Sequence, residues 1–358
     1  MRSPKSPEKR VSTGADPFAA LMAHVLPGVE RELRTHLTRA QKNAAALGQP
    51  VKDMVAALSS LCLRGGKRLR AGLVAAGYLS ASGKRSLPAG VIQAGVAVEL
   101  LQAYFLIHDD WMDRDDVRRG GPSVHAWLTA KIGNSHQGAA AGVLTGDYAL
   151  ALATQVLSHV PMAQTQVQGV WDCFSRMQLD AIAGQQRDLL GEEDVLLTYK
   201  LKTGSYSVHG PLELGARLGG ASLEVLGALK RYAIPTGVAF QLRDDLLNAF
   251  GDPAVTGKPL GSDLVEGKKT LLVSTALGRL KGPEKAKFLA AFGNPKASQK
   301  QRAMALQVLG ECGAVESLER EISKLCRASQ RALASGALPS AGRELLAAAT
   351  TSLVARTH

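Results

Sequence analysis

From Pro17 onward the apolar residues fall in long Ala- and Leu-rich runs without sustained two-residue alternation. Short stations of Gly, Pro and Ser interrupt them at Gly65-Gly66, Ser82-Gly83, Gly120-Gly121-Pro122, Gly191, Gly219-Gly220, residues 251–261 and residues 293–295. Such stations punctuate helices rather than strands. Segments 89–116, 138–158, 163–190 and 222–249 are each long enough, at about 1.5 Å per residue, to cross a domain. No Asn-Gly signal joins alternating runs and no repeat of fixed period is visible. The pattern predicts an all-α protein.

Composition narrows this further. A chain of 358 residues could hold two domains or one large bundle. No linker is evident, so residues 17–358 are read as a single all-α domain. Residues 1–16 carry Ser, Pro and Lys/Arg without apolar periodicity and are read as a mobile basic tail, with neither the amphipathic pattern of a transit peptide nor a secretory h-region. Hydrophobic residues at 46% and charged residues at 21% exclude wholesale disorder. Aromatics at only 4% beside abundant Ala and Leu favour helix over sheet. Cys62, Cys173, Cys312 and Cys326 show no CxxC pairing and no zinc-type histidines, so no disulfide framework is signalled and a reducing cytoplasm is the expected location. No uninterrupted apolar window approaches eighteen residues, which argues against a membrane span and for a soluble protein.

The net charge of +12 admits nucleic acid, an anionic membrane surface or small anionic substrates. No basic stripe interleaved with aromatics and no nucleic-acid module is present, so no nucleic-acid partner is expected. The position of the charges is more telling. Residues 100–122 read LLQAYFLIHDDWMDRDDVRRGGP, and residues 239–270 read AFQLRDDLLNAFGDPAVTGKPLGSDLVEGKKT. On a helix Asp109 and Asp113 share a face, while Asp110 is turned by roughly 100°. Such a run is ordinarily a solvated helix end, but here it follows the apolar stretch AYFLI. Carboxylates placed there without His or Cys partners suit a hard, oxygen-preferring ion such as Mg²⁺. Asp244-Asp245 form a second acidic pair behind an equally apolar approach. Gly65-Gly66-Lys67-Arg68-Leu69-Arg70, Arg118-Arg119, Lys202-Thr203 and residues 258–269 put cations at helix ends and in Gly-rich breaks, where a phosphate is readily held.

These motifs, with Gly184-Gln185-Gln186-Arg187-Asp188 and Phe240-Gln241-Leu242-Arg243-Asp244-Asp245, stand in the order seen in the trans-isoprenyl (polyprenyl) diphosphate synthases, which the sequence closely resembles over roughly residues 17–273. The resemblance implies a single helical bundle of the isoprenoid synthase type with a central cavity. It implies head-to-tail condensation of isopentenyl diphosphate with allylic diphosphates. Three Mg²⁺ ions are implied, with Asp109, Asp113 and Asp244 as ligands supported by Asp110, Asp188 and Asp245. Lys67, Arg70, Gln102 and Arg119 match the isopentenyl diphosphate pocket. Arg118, Lys202, Gln241, Lys258 and Lys268 match the allylic diphosphate clamp. Thr203 matches the position beside the reacting carbons, and the Lys202 carbonyl, the Thr203 hydroxyl and the Gln241 amide oxygen are the catalytic dipoles expected to stabilise the allylic cation. Bulky Tyr104 and Phe105, five and four residues before Asp109, resemble the floor that stops elongation near fifteen carbons. Farnesyl diphosphate is therefore the expected product, with geranylgeranyl diphosphate the alternative because Asn248 ends the second acidic motif. A homodimer is implied. A terpene cyclase would lack GGKRLR and the second acidic pair, and an inactive helical partner subunit would have lost the acidic ligands or the cationic clamps.

Overall fold

The computed structural model describes residues 16–252, 260–334 and 336–354. The first helix, α1 (Pro17–Ala45), starts where Asp16 accepts hydrogen bonds from the N–H groups of Phe18 and Ala19 at 2.9 and 3.3 Å, with Pro17 in the first turn. Its buried positions Phe18, Leu21, Val25, Val29, Leu33 and Leu37 recur every three or four residues and form one apolar stripe. Asp16 is thus part of the helix start; residues 1–15 of the predicted tail lie outside the described residues.

Next come α2 (Gln49–Leu63), α3 (Leu69–Ser82) and α4 (Ala89–Met112). The α4 helix is buried on almost every side, with Val96, Val98, Leu100 and Leu101 wholly inaccessible, and is the centre of the bundle. Helices α5 (Val124–Ile132), α6 (Ser135–Ser158), α7 (Gln164–Leu190), α8 (Val195–Tyr199), α9 (Gly210–Leu218) and α10 (Leu223–Phe250) follow. Between α8 and α9 the chain forms a π-helix, Lys200–His209. The α6 and α3 helices pack on α4, while α7 and α10 flank the π-helix. Later helices, including Ser262–Glu266, Ala314–Leu333 and Ser340–Val354, close the side of α10. The buried Tyr232 hydroxyl donates to Leu346 O at 2.7 Å and accepts from Thr350, tying the last helix to α10.

The four long predicted segments correspond to α4, α6, α7 and α10, with shifts at their ends. The segment expected over 89–116 ends at Met112, because Asp113 caps it and the chain turns back. Val117–Arg118 then pairs antiparallel with Gly121–Pro122, a two-residue hairpin that the sequence reading did not foresee. Arg119 and Gly120 at its tip have φ of 53° and 69°, both positive as the mirror-image hairpin turn demands. The α6 helix begins three residues earlier than expected, at Ser135, since the Asn134 side chain accepts from Gln137 N at 3.0 Å. Both α4 and α6 are long and apolar enough to cross a membrane by length and composition. The α4 helix carries Glu99, Asp109 and Asp110 and is mostly buried within the protein, as the core helix of a bundle is.

Candidate active site

The acidic end of α4 is divided by helical geometry. Asp109 and Asp113 share one face, and Asp113 N donates to Asp109 O at 2.8 Å as the helix closes. Asp110 turns inward and is wholly buried. It meets Arg118, whose Nε donates to Asp110 Oδ1 at 2.6 Å and whose Nη2 donates to Asp115 at 3.2 Å. The hairpin delivers Arg118 to that position, and Arg64 fixes the hairpin by donating to Arg118 O and Pro122 O at 2.9 and 2.7 Å. Burial pushes the Asp110 carboxyl up to about 6 even against the attraction of Arg118. Its Oδ2 accepts no hydrogen bond.

Asp109 behaves oppositely. Burial would raise its pKa, but Lys202, Lys268 and Arg118 outweigh it and hold the carboxyl at about 2. Lys202 Nζ stands 3.2 Å from Asp109 Oδ1 and 2.6 Å from Asp188 Oδ2 on α7. Gly184 permits this approach of α7 to the π-helix: a Cβ there would lie 2.3 Å from Lys202 N. Lys268 Nζ contacts Asp113 at 2.6 Å, Glu266 at 3.1 Å and Asp263 at 3.8 Å. Both ammonium groups have raised pKa values: burial opposes the charge, and the surrounding carboxylates overcome it.

A hydrogen-bond chain runs across the floor of this site. Thr203 Oγ1 donates to Gln241 Oε1 at 2.6 Å, Gln241 Nε2 donates to Asp245 Oδ1 at 3.0 Å, and the Tyr199 hydroxyl donates to Asp245 Oδ2. Leu271 N donates in turn to the Tyr199 oxygen at 3.1 Å. Because Gln241 turns its oxygen to Thr203, the Thr203 hydroxyl proton is committed there and its lone pairs remain for the cavity. Burial pushes Asp245 up to about 7, with Tyr199 and Gln241 opposing.

These groups line a cavity of about 480 Å³ that holds Lys67, Arg70, Asp109, Arg118, Asp188, Lys202, Thr203, Gln241, Asp244, Asp245 and Lys268 of the predicted residues. Asp113 lies at its edge and opens onto a neighbouring cleft with Lys268 and Glu266. Arg70 donates to Ser207 Oγ at 2.6 Å and to the Tyr206 hydroxyl at 3.0 Å, with its guanidinium 4.7 Å above the Tyr206 ring. Gln102 is not among the lining residues; it is buried and accepts from the Tyr206 hydroxyl at 2.6 Å. Arg119 is not a lining residue either, because its Nη1 donates to Gly65 O at 2.8 Å and holds the loop before α3. Lys258 lies outside the described residues. Asn248 fastens the following chain instead of joining the acids: its Nδ2 donates to Ser262 Oγ at 2.9 Å, and Asp263 N donates to its Oδ1 at 3.2 Å.

A second cavity of about 260 Å³ adjoins the first, sharing Leu106, Asp109, Lys202 and Tyr206 with it. Its remaining wall is largely apolar: Tyr104, Phe105, His108 and Met112 from α4, and Ala181, Ile182, Gln185 and Gln186 from α7. The Tyr104 and Phe105 rings lie 4.8 Å apart, and Phe105 packs on Tyr206 at 4.7 Å. We call it the tail cavity.

Several contributors escaped the sequence reading, among them Tyr199, Tyr206, Ser207, Asp263 and Glu266. The first three flank Lys202-Thr203 in YKLKTGSYS, a run too polar for the bundle interior unless it serves a site. Asp263 and Glu266 sit within five residues of Lys268 on a short helix.

Among the described residues lining this cavity, Asp109, Asp188, Asp244, Asp245 and Asp263 offer carboxylate oxygens with no thiol or imidazole beside them, so the set fits a hard divalent cation in type; Asp110, wholly buried on Arg118, is not among them. Among the described residues no three acidic, His or Cys side chains stand close enough to form a metal cluster. Lys202 and Lys268 occupy the space between carboxylates instead.

This helical bundle, with a carboxylate and lysine cavity opening into an apolar one, agrees with the isoprenoid synthase type that the motifs resemble. A family model for Polyprenyl synthetase matches residues 51–309. The chain is 38% identical over 261 residues to the geranylgeranyl diphosphate synthase of Methanosarcina mazei, covering 70% of this chain and 74% of that one. It is 35% identical over 260 residues to the (2E,6E)-farnesyl diphosphate synthase of Mycobacterium tuberculosis, covering 69% and 67%. A crystal structure of geranylgeranyl pyrophosphate synthase from Corynebacterium glutamicum, complexed with isoprenyl diphosphate and magnesium, superposes with a TM-score of 0.86 at 33% identity, covering 95% of this chain and 99% of that one. The chain belongs to the polyprenyl synthetase family and is a short-chain trans-isoprenyl diphosphate synthase, a prenyltransferase that performs trans-prenyl condensation.

Proposed function

We propose that the protein condenses isopentenyl diphosphate with dimethylallyl and then geranyl diphosphate, and releases farnesyl diphosphate. The observation that carries this reading is the junction of the two cavities at Asp109, Lys202, Leu106 and Tyr206. A diphosphate held among the cations can pass its hydrocarbon tail directly into the apolar cleft. Magnesium, read as three ions held by Asp109, Asp113 and Asp244 with Asp110, Asp188 and Asp245 behind them, would neutralise charge on the departing diphosphate.

The chain's own residues do the rest. Lys202, Lys268 and Arg118 hold the allylic diphosphate with charge-assisted hydrogen bonds that strengthen as its C–O bond breaks. Lys67 and Arg70 hold the diphosphate of isopentenyl diphosphate on the opposite wall. Thr203 turns its lone pairs toward the allylic cation, and Phe240 and Leu106 help exclude the water that would capture it. The isopentenyl double bond attacks the cation, a C–C bond forms, and the surplus proton leaves to the released diphosphate. Gln102 and Arg119 act from behind, through Tyr206 and the Gly65 loop.

Tyr104 and Phe105 close the tail cavity with two aromatic rings, which supports a fifteen-carbon product. Geranylgeranyl diphosphate is the second reading, favoured by that name being the more frequent among similar proteins. A homodimer is supported by apolar Leu144 on α6 and Leu179 and Ile182 on α7, all exposed. Incubating the protein with Mg²⁺, isopentenyl diphosphate and each of the C5, C10 and C15 allylic diphosphates tests the proposal. Mass spectrometry should find C15 product from the two shorter primers and little extension of the third. A C20 main product would establish the second reading, and absence of condensation would overturn both.

A further inference from the structure

Gly146 on α6 faces the ring of His108 on α4. A Cβ built on Gly146 would lie 2.2 Å from His108 Nε2 and 2.4 Å from Cδ2, far inside van der Waals contact. Gly138 and Gly142 continue the same helix face, but they meet Thr129 and His125 of α5. Gly146 therefore bears on α4, one residue before the first acidic motif.

In the space the glycine leaves, the His108 Nε2 stands 3.0 Å from Val143 O and 3.8 Å from Asp147 Oδ1. Its ring meets Tyr104 edge-on at 4.7 Å between centroids. His108 is also one of the residues lining the tail cavity, beside Tyr104, Phe105 and Met112. His108 thus turns its ring toward α6, into the space that Gly146 leaves.

We propose that Gly146 is a specificity-determining residue: by letting His108 recede into α6, it sets how much of the tail cavity is open to the growing chain, and so the product length. This rests on the reading of the tail cavity as the elongation cleft. With a methyl group at position 146 the ring must leave α6. His108 also lines the tail cavity, so a ring displaced from α6 would take up space in the cleft beside Tyr104. A hydrophobic pocket discriminates by about tenfold or more for each methylene-sized change in fit, and a displaced imidazole is larger than a methylene.

Product distributions from dimethylallyl diphosphate, read by mass spectrometry, test this with Gly146→Ala, the double variant Gly146→Ala/His108→Ala, His108→Ala alone, and Tyr104→Ala/Phe105→Ala. Gly146→Ala should raise the ratio of the next shorter product to the normal main product about tenfold. Removing the ring in the double variant should restore the normal length or exceed it, and His108→Ala alone should lengthen the product. A folded, active Gly146→Ala enzyme with an unchanged distribution would overturn the proposal, as would shortening that persists in the double variant. Should Gly146→Ala fail to fold, an unchanged distribution from His108→Ala would overturn it equally. The Tyr104 and Phe105 variant separates the two levels. If it does not lengthen the product, the tail cavity is not the elongation cleft; if it does while the Gly146 and His108 variants change nothing, the Gly146 proposal alone falls.

Discussion

The two adjoining cavities share α4, α7 and the π-helix but are built by different rules. In the diphosphate cavity, Asp109, Asp188, Lys202 and Lys268 are held in alternating order of charge, so each group's position depends on its neighbours' charge. In the tail cavity, Tyr104, Phe105, Ile182 and Met112 are ordinary packing residues, and only the space they leave matters. Losing one charge from the first should change rate or affinity. Losing bulk from the second should change which product is made.

The sharpest break of that contrast is Asp109→Ala. It removes a carboxylate held ionised at about 2, and turnover should fall about a thousandfold or more at saturating substrate. Circular dichroism should show the fold unchanged, since Lys202 keeps Asp188 as partner. Near-normal turnover would show that the α4 acids do not serve the chemistry.

Smaller effects should separate the two walls of the charged cavity. Lys67→Ala and Arg70→Ala should each raise KM for isopentenyl diphosphate about tenfold, the scale of one charge-assisted hydrogen bond to a ground-state anion. Lys202→Ala should act mainly on the allylic KM. Steady-state kinetics with each substrate varied in turn decides between them, and exchanged effects would reverse the assignment of the walls.

Tyr104→Ala should leave KM for isopentenyl diphosphate within about threefold of normal while moving product toward C20, because it alters space and no charge. A large KM change with unchanged product would erase the distinction between the cavities.

The smallest effect on turnover belongs to a region outside both cavities. His209, at the end of the π-helix, is buried with Nε2 3.3 Å from Glu213, which also accepts from Arg176 and Arg217. Burial holds His209 down at about 4 despite Glu213. The unfolded chain binds this proton near the ordinary value of about 6.5, so stability is complete above that pH and is lost as pH falls toward 4. The loss is at most about 3 kcal/mol. Melting temperatures at pH 7.5 and 5 should differ, and His209→Gln should reduce the difference.

Much of this was legible in the sequence because charges inside apolar helices are conspicuous. Asp109, Lys202, Asp244 and Lys268 all reach one cavity, as their place beside apolar runs and Gly-rich breaks suggested, and Asp188, marked only by the family resemblance, joins them. Gln102 and Arg119 do not line it, because what they bind, Tyr206 and Gly65 O, depends on tertiary packing that no spacing encodes. The hairpin at Arg119-Gly120 carried no Asn-Gly signal, since Arg occupies the left-handed position and Arg64 holds the strands on either side. Asn248 stands in an acidic motif but serves the chain that follows it. The wall of the tail cavity was invisible except at Tyr104 and Phe105: Ile182 and Met112 look like any other residues of a helix, and Gly146 is a glycine among many.

The π-helix has a consequence for insertions and deletions. Its hydrogen bonds reach five residues rather than four, as Gly210 N to Ser205 O shows at its end. The widened turn brings Lys202, Thr203, Tyr206 and Ser207 together on the cavity wall, a grouping at offsets of one, four and five. An ordinary α-helix advances 3.6 residues per turn and turns about 100° at each. Removing a single residue after Thr203 would change those offsets to one, three and four and return the segment to regular geometry, so Tyr206 and Ser207 would meet Arg70 from altered angles. In this stretch chain length itself shapes the cavity wall, and a one-residue deletion should alter that wall more than most substitutions.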